Sequence, residues 1–386
     1  MKALHCLIVA ATILSACSEF EDSTTDAVEL KSRELNNSYR PSRIGVILTS
    51  HGDIDEFEEI EGYLRTAFLK NVGVPLPGIV RRIVENPAYW IAKGGIEEQY
   101  EIIGATEYRK NADIQAKALR RALWWKGINA NVYVGYNFMP PFVEDAIKSA
   151  REDGVEEVVV FNKGAQYSLA TLGESIEEIE GYLEDATPWD ARIVAVRQFS
   201  DDERFRKLFA RVLRRDALAT FPGKDPSEIC LMVASHGLPL RLIRMGDPAV
   251  TQMLDVVEDL KRRLPEFPMY HAFLNDDFFP GAAWVEPNSG EVSEEIRKDG
   301  CTAILMDGRL SFTTHHRATL FDLDVDARDI IENQPDLLSD GSVDPAYEPP
   351  TAVLAQQWDD EPAFARLMAD LTVEALRGEG DIIEIQ

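Results

Sequence analysis

Cysteine is scarce in this chain, with four in 386 residues, at positions 6, 17, 230 and 301. Cys6 and Cys17 fall in an apolar N-terminal stretch. The other two stand far apart without Cys-x-x-Cys spacing, which argues against a zinc ribbon or a thiolate-held cluster. Cys230 and Cys301 read as two buried thiols, with a disulfide between them as the alternative. Basic charge is also short, 40 Lys and Arg against 67 Asp and Glu, for a net charge of −27. Such a surface repels phosphate backbones, so nucleic acid is not an expected partner. After the first 14 residues no apolar run is long enough to span a bilayer.

What is present begins at the N-terminus. Lys2 supplies a short positive start, Ala3 to Leu14 is mostly apolar, and Leu14-Ser15-Ala16-Cys17 follows. This pattern resembles the lipobox of bacterial lipoproteins, in which the cysteine is lipidated after cleavage. The expectation is a signal peptide over residues 1–17, lipidation at Cys17, and a polar, acidic tether over 18–41. It implies a lipid-anchored chain in the bacterial cell envelope, facing the periplasm; the alternative is a cytoplasmic chain.

From Ser42 the pattern changes to short β-rich apolar runs separated by longer amphipathic stretches. Strands are expected at 44–49, 131–135, 155–161, 192–196, 229–234 and 302–306. Helices are expected at 56–68, 112–125, 141–151, 175–183, 203–218, 250–263 and 363–376. The alternation predicts an α/β fold with parallel sheets covered by helices. One internal echo stands out. Ile44 to Gly52 reads IGVILTSHG and Ile229 to Gly237 reads ICLMVASHG, each an apolar strand ending in Ser-His-Gly. It predicts two similar Rossmann-like, flavodoxin-like lobes over 42–220 and 221–386, with a cleft between them. Ligands of such sheets bind beyond the carboxyl ends of the strands, where His51 and His236 fall.

The most specific motif is Ser235-His236-Gly237-Leu238-Pro239, followed by Gly246-Asp247-Pro248. It resembles the signature of the ferrochelatases. Other segments resemble that family in the same order: VGYNFMPPFVEDAI from Val134, Gln166-Tyr167-Ser168 with Thr171, Trp284-Val285-Glu286-Pro287, and LSFTTHHRATLFDLD from Leu310. Trp358 to Ala375 resembles its closing helix. The resemblance spans about residues 44 to 377. It implies a chelatase that places ferrous iron in a porphyrin, with Fe²⁺ as a substrate and no tightly bound cofactor. His236 matches the essential histidine, which accepts protons or meets the metal. The resemblance further implies metal contacts at His236, Asp322 and Asp326, and the adjacent pair His315 and His316 reads as a substitute iron or zinc ligand set. It assigns substrate contacts to Tyr136, Gln166, Tyr167, Ser168 and Trp284.

The departures matter as much. The glutamate of the family's H-x-E-T-L run is Ala318 here, so Ala318, Asp322 and Asp326 form a row at i, i+4 and i+8 whose innermost carboxylate is missing. His315 replaces an aspartate beside His316, and Asn275-Asp276-Asp277 stands where the family has Q-S-R. His51 is unusual for the family but resembles the His-Gly motif of smaller chelatases acting on sirohydrochlorin. Three outcomes are therefore distinguished: iron insertion into a porphyrin, a lipid-anchored tetrapyrrole- or metal-binding protein without that activity, and a chelatase for another tetrapyrrole or metal such as cobalt.

Overall fold

The computed structural model describes residues 42–71, 93–275, 283–333 and 348–386. The expectations for 1–41, lipidation at Cys17 included, lie outside the described residues, as do Asp276 and Asp277. Two sheets form the framework. The first has strands β1 (Ile44–Ser50), β2 (Ala130–Tyr136), β3 (Glu157–Asn162), β4 (Arg192–Val196) and β9 (Ile382–Ile385), in the order β2-β1-β3-β4-β9. The second has β5 (Ile229–His236), β6 (Met269–Leu274), β7 (Ala303–Asp307) and β8 (Thr351–Leu354), in the order β6-β5-β7-β8. All pairings are parallel except β4 with β9.

The echo in the sequence is thus an echo in topology. β1 and β5 are the first strands of their lobes, and each lies between the second and third, as in flavodoxin-like folds. Nearly every residue of both is buried, so each needs helices on both faces of its sheet. Their Ser-His-Gly endings sit at the carboxyl tips. Gly52 follows with φ +92°, and a Cβ there would come within 2.9 Å of Tyr136 Cβ, so this turn excludes larger residues.

The lobes are not independently cored. One apolar cluster contains Leu48 and Phe161 of the first sheet and Leu231, Val233 and Leu305 of the second. It is joined by Phe205 and Phe209 from the helix Glu203–Thr220 and by Phe364 and Met368 from the helix Pro362–Leu376. The last helix packs on the helix Tyr108–Trp125, and β9 extends the first sheet. The chain therefore ends in the first lobe, whereas the sequence division placed all of 221–386 in the second.

One expectation is corrected. Cys230 and Cys301 are joined as a disulfide rather than held as separate thiols, with Cα atoms 6.1 Å apart. The reason lies in strand order: β5 pairs with β7, and Cys230 stands opposite Ile304, beside the turn that carries Cys301. A separation of 71 residues conveys none of this. Among the described residues, no helix is long and apolar enough to cross a membrane.

Candidate active site

The carboxyl tips of the strands converge, and aromatic rings link them. His236 ends β5, and its backbone N–H donates to Ser311 Oγ at 3.1 Å. Its Nδ1 lies 2.6 Å from the carbonyl oxygen of Gly237. A carbonyl only accepts, so in the neutral ring Nδ1 carries the proton and Nε2 carries the lone pair. Trp284 and Phe312 flank the imidazole, with ring centroids 6.3 and 5.7 Å away. Phe312 stacks on His316 at 5.1 Å, and His316 meets His51 edge-on at 5.4 Å. Phe138 at 4.2 Å from His51 and Tyr108 at 6.1 Å from His316 continue the series, and Tyr136 lies 5.8 Å beyond Tyr108. A belt of rings thus runs from the tip of β5 to the tips of β1 and β2.

His316 is buried and turned towards the first lobe. Its Nδ1 accepts from the Ala318 N–H at 3.3 Å, and its Nε2 lies 3.9 Å from Asp53 Oδ2. Asp53 is fully buried in the turn after β1. It accepts from the N–H groups of Arg317 at 2.9 Å and Ile54 at 2.8 Å, and from the Tyr100 hydroxyl. Burial pushes its acid pKa upward, against the pull of these donors and of the Arg317 charge. At position 318 the second lobe carries an alanine, buried in an apolar cluster. The first lobe presents a carboxylate to the neighbouring histidine.

The structure separates the adjacent histidines. His315 Nδ1 lies 3.4 Å from Thr319 Oγ1, and burial lowers its pKa. Residues Ala318–Ala327 form a π-helix, a wider coil than the α-helical spacing assumed. Along it, Ala318 is buried, Asp322 half-buried and Asp326 exposed. Asp322 is held by Arg317 at 3.3 Å, and Arg317 also binds Gln99 Oε1 at 2.7 Å. Among the described residues, no group of three or more His, Cys, Asp or Glu side chains is arranged to hold a metal ion.

Of the residues assigned to substrate contact, Tyr136 and Trp284 stand in the belt. The Trp284 Nε1–H and the Gln166 side-chain amide nitrogen are buried with no hydrogen-bond partner among the described residues. Ser168 and Tyr167 are occupied otherwise. The Ser168 hydroxyl and the Leu169 N–H donate to Asp247 Oδ2 at 2.7 and 2.8 Å, so the two motifs Gln-Tyr-Ser and Gly-Asp-Pro latch one lobe to the other. The Tyr167 N–H donates to Gln252 Oε1 at 2.9 Å, and Arg197 covers its ring at 5.4 Å.

Sequence reasoning missed Asp53, Tyr108 and Lys163. Lys163 follows β3 with 1% of its surface exposed. Its Nζ has no hydrogen-bond partner among the described residues and stands 4.9 Å over the Tyr108 ring. Burial lowers its pKa to about 7, opposed by the charge of Asp359. A signal for Asp53 existed in the echo: the first Ser-His-Gly is followed by Asp53, the second by Leu238.

Comparison with known proteins bears on these residues. The ferrochelatase family model matches residues 43–336. The chain is 27% identical over 296 residues to the chloroplastic ferrochelatase-2 of Oryza sativa subsp. indica, an alignment covering 75% of this chain and 56% of the relative. It therefore spans little more than half the length of that protein. It is 29% identical over 294 residues to a ferrochelatase of Geotalea uraniireducens (strain Rf4), covering 74% of this chain and 87% of the relative. Among solved structures it is similar to SirB from Bacillus subtilis with Fe³⁺, at TM-score 0.48 and 12% identity over 88% of this chain and 98% of that one.

Proposed function

We propose, from the premise that this chain belongs to the ferrochelatase family, that it is a metal chelatase acting on a tetrapyrrole and a divalent metal ion. The finer reading is insertion of Fe²⁺ into a porphyrin. The observation that carries it is His236: a half-buried imidazole at a strand tip, its Nδ1 tied to Gly237 O so that Nε2 holds the basic electron pair. Metal insertion must remove two protons from pyrrole nitrogens, and an imidazole with its basic nitrogen at Nε2 suits that step. The ring belt supports a flat apolar guest, and the Trp284 N–H, without a partner among the described residues, supports a polar group beside it. Asp53 supports the same reading as a carboxylate next to His316 where Ala318 has none. The graded row Asp322–Asp326 fits an approach for hydrated metal.

A second reading is favoured by one observation, the dispersal of the ligand candidates. His315 Nδ1 lies by Thr319 Oγ1 rather than by another ligand candidate, and Arg317 engages Asp322. A protein that binds a tetrapyrrole or metal without inserting it has no need of an assembled ligand set. Purified protein mixed anaerobically with Fe²⁺, Zn²⁺ or Co²⁺ and protoporphyrin or coproporphyrin separates the two. A chelatase develops the metalloporphyrin spectrum, and His236→Ala lowers the rate by about 100-fold or more, the range of a lost general base. Porphyrin binding without metalloporphyrin establishes the second reading. Full activity in His236→Ala removes that histidine from the mechanism.

The proposed location is the cell envelope, through a lipid on Cys17. The lipobox-like segment supports it, and so does the disulfide Cys230–Cys301, since such bonds persist in oxidising compartments. The intact mass of chain extracted from membranes should include a lipid at residue 17 that is absent in Cys17→Ser. A mass equal to the unmodified chain refutes the anchor.

A further inference from the structure

The helix Tyr108–Trp125 has two unlike sides. Ala112, Gln115, Ala116, Leu119, Ala122 and Leu123 are buried in the fold. Lys117, Arg120, Arg121, Trp124 and Trp125 are exposed and fall at i, i+3, i+4, i+7 and i+8, one continuous face. The two tryptophans are 63% and 75% exposed, and their rings meet edge-on at 5.1 Å. From Tyr108 to its cap at Lys126 this segment holds six basic residues and one acid, Asp113, within a chain of net charge −27. Lys126 pairs with Asp370 of the neighbouring helix Pro362–Leu376.

Two adjacent exposed indoles are costly in water. They are stable where one edge is apolar and the other wet, the depth of lipid carbonyls and headgroups. Basic side chains on the same face meet lipid phosphates. Basic charge and two indoles together on one helical face suit an anionic bilayer surface better than a protein partner. The chain as a whole carries a net charge of −27, so contact with an anionic bilayer requires a locally basic face such as this one.

We propose that the face Lys117, Arg120, Arg121, Trp124 and Trp125 docks on a bilayer surface through anionic phospholipid headgroups. The docking is independent of the chelatase reading and of the lipid on Cys17, and its test involves neither metal nor macrocycle. Full-length chain carrying Cys17→Ser is mixed with vesicles of brominated phosphatidylcholine, with and without phosphatidylglycerol. Residues 1–41 contain no tryptophan, so insertion of that segment gives no quenching of its own. Quenching of tryptophan emission is expected with phosphatidylglycerol and lost in Trp124→Phe/Trp125→Phe. Lys117→Glu/Arg121→Glu should weaken partitioning by about tenfold or more, and salt should do likewise. These are exposed positions, and unchanged thermal melts keep the two variants comparable with the parent. No quenching on anionic vesicles overturns the proposal. So does quenching that survives loss of both indoles, or that is equal on neutral vesicles.

Discussion

Lys163 places an amine where desolvation works against its charge. Its pKa in the folded chain is about 7, against roughly 10.4 when unfolded. Between those values the unfolded chain holds a proton that the folded chain lacks, so stability rises with pH across that window. The penalty is full below about pH 7 and gone above the unfolded pKa. Lys163→Met should therefore stabilise the protein by a few kcal/mol near pH 6, since each tenfold loss of proton affinity on folding costs about 1.4 kcal/mol. The advantage should shrink as pH rises towards ~10. Thermal melts of both proteins across that range measure it, and a gap that stays constant with pH refutes the buried amine. The same scale shows what the sequence conveyed and what it withheld. The place of His236 at a strand tip was legible because an apolar run and Ser-His-Gly motif surround it. The Asp53–His316 contact was not, because it joins residues 263 positions apart through the meeting of two lobes. Nor was the divergence of His315 and His316, which depends on where each ring finds space.

At the scale of elements, long periodic segments were read well. The helices expected at 203–218, 250–263 and 363–376 are Glu203–Thr220, Ala249–Arg263 and Pro362–Leu376. The six expected strands all exist within a few residues of their predicted ends. β6, β8 and β9 were not read. β8 and β9 have four residues each, too few for a periodic pattern, and β6 is an edge strand whose first half is only partly buried. The π-helix Ala318–Ala327 was read as α-helical because local sequence does not reveal an extra residue per turn. The latch between Asp247 and Ser168 shows the limit of motif reading. Residues within signature segments can serve to hold the lobes in register, and only the fold shows which do.

For the molecule as a whole, the disulfide Cys230–Cys301 closes a loop of about 70 residues at the foot of β5. Loop-closure entropy for a loop of that length gives a contribution of roughly 4 kcal/mol. Cys230→Ser/Cys301→Ser should melt several degrees lower, and thiol reagents should label neither cysteine of the parent chain until it is reduced. Labelling of both without reduction contradicts the bridge.

Because the polypeptide passes from first lobe to second after β4 and back again before β9, the halves are fastened along two seams with common packing between them. A rotation that widened the gap would have to shear the shared interior at both seams. The shared interior therefore fixes the spacing of the histidines as the chain folds.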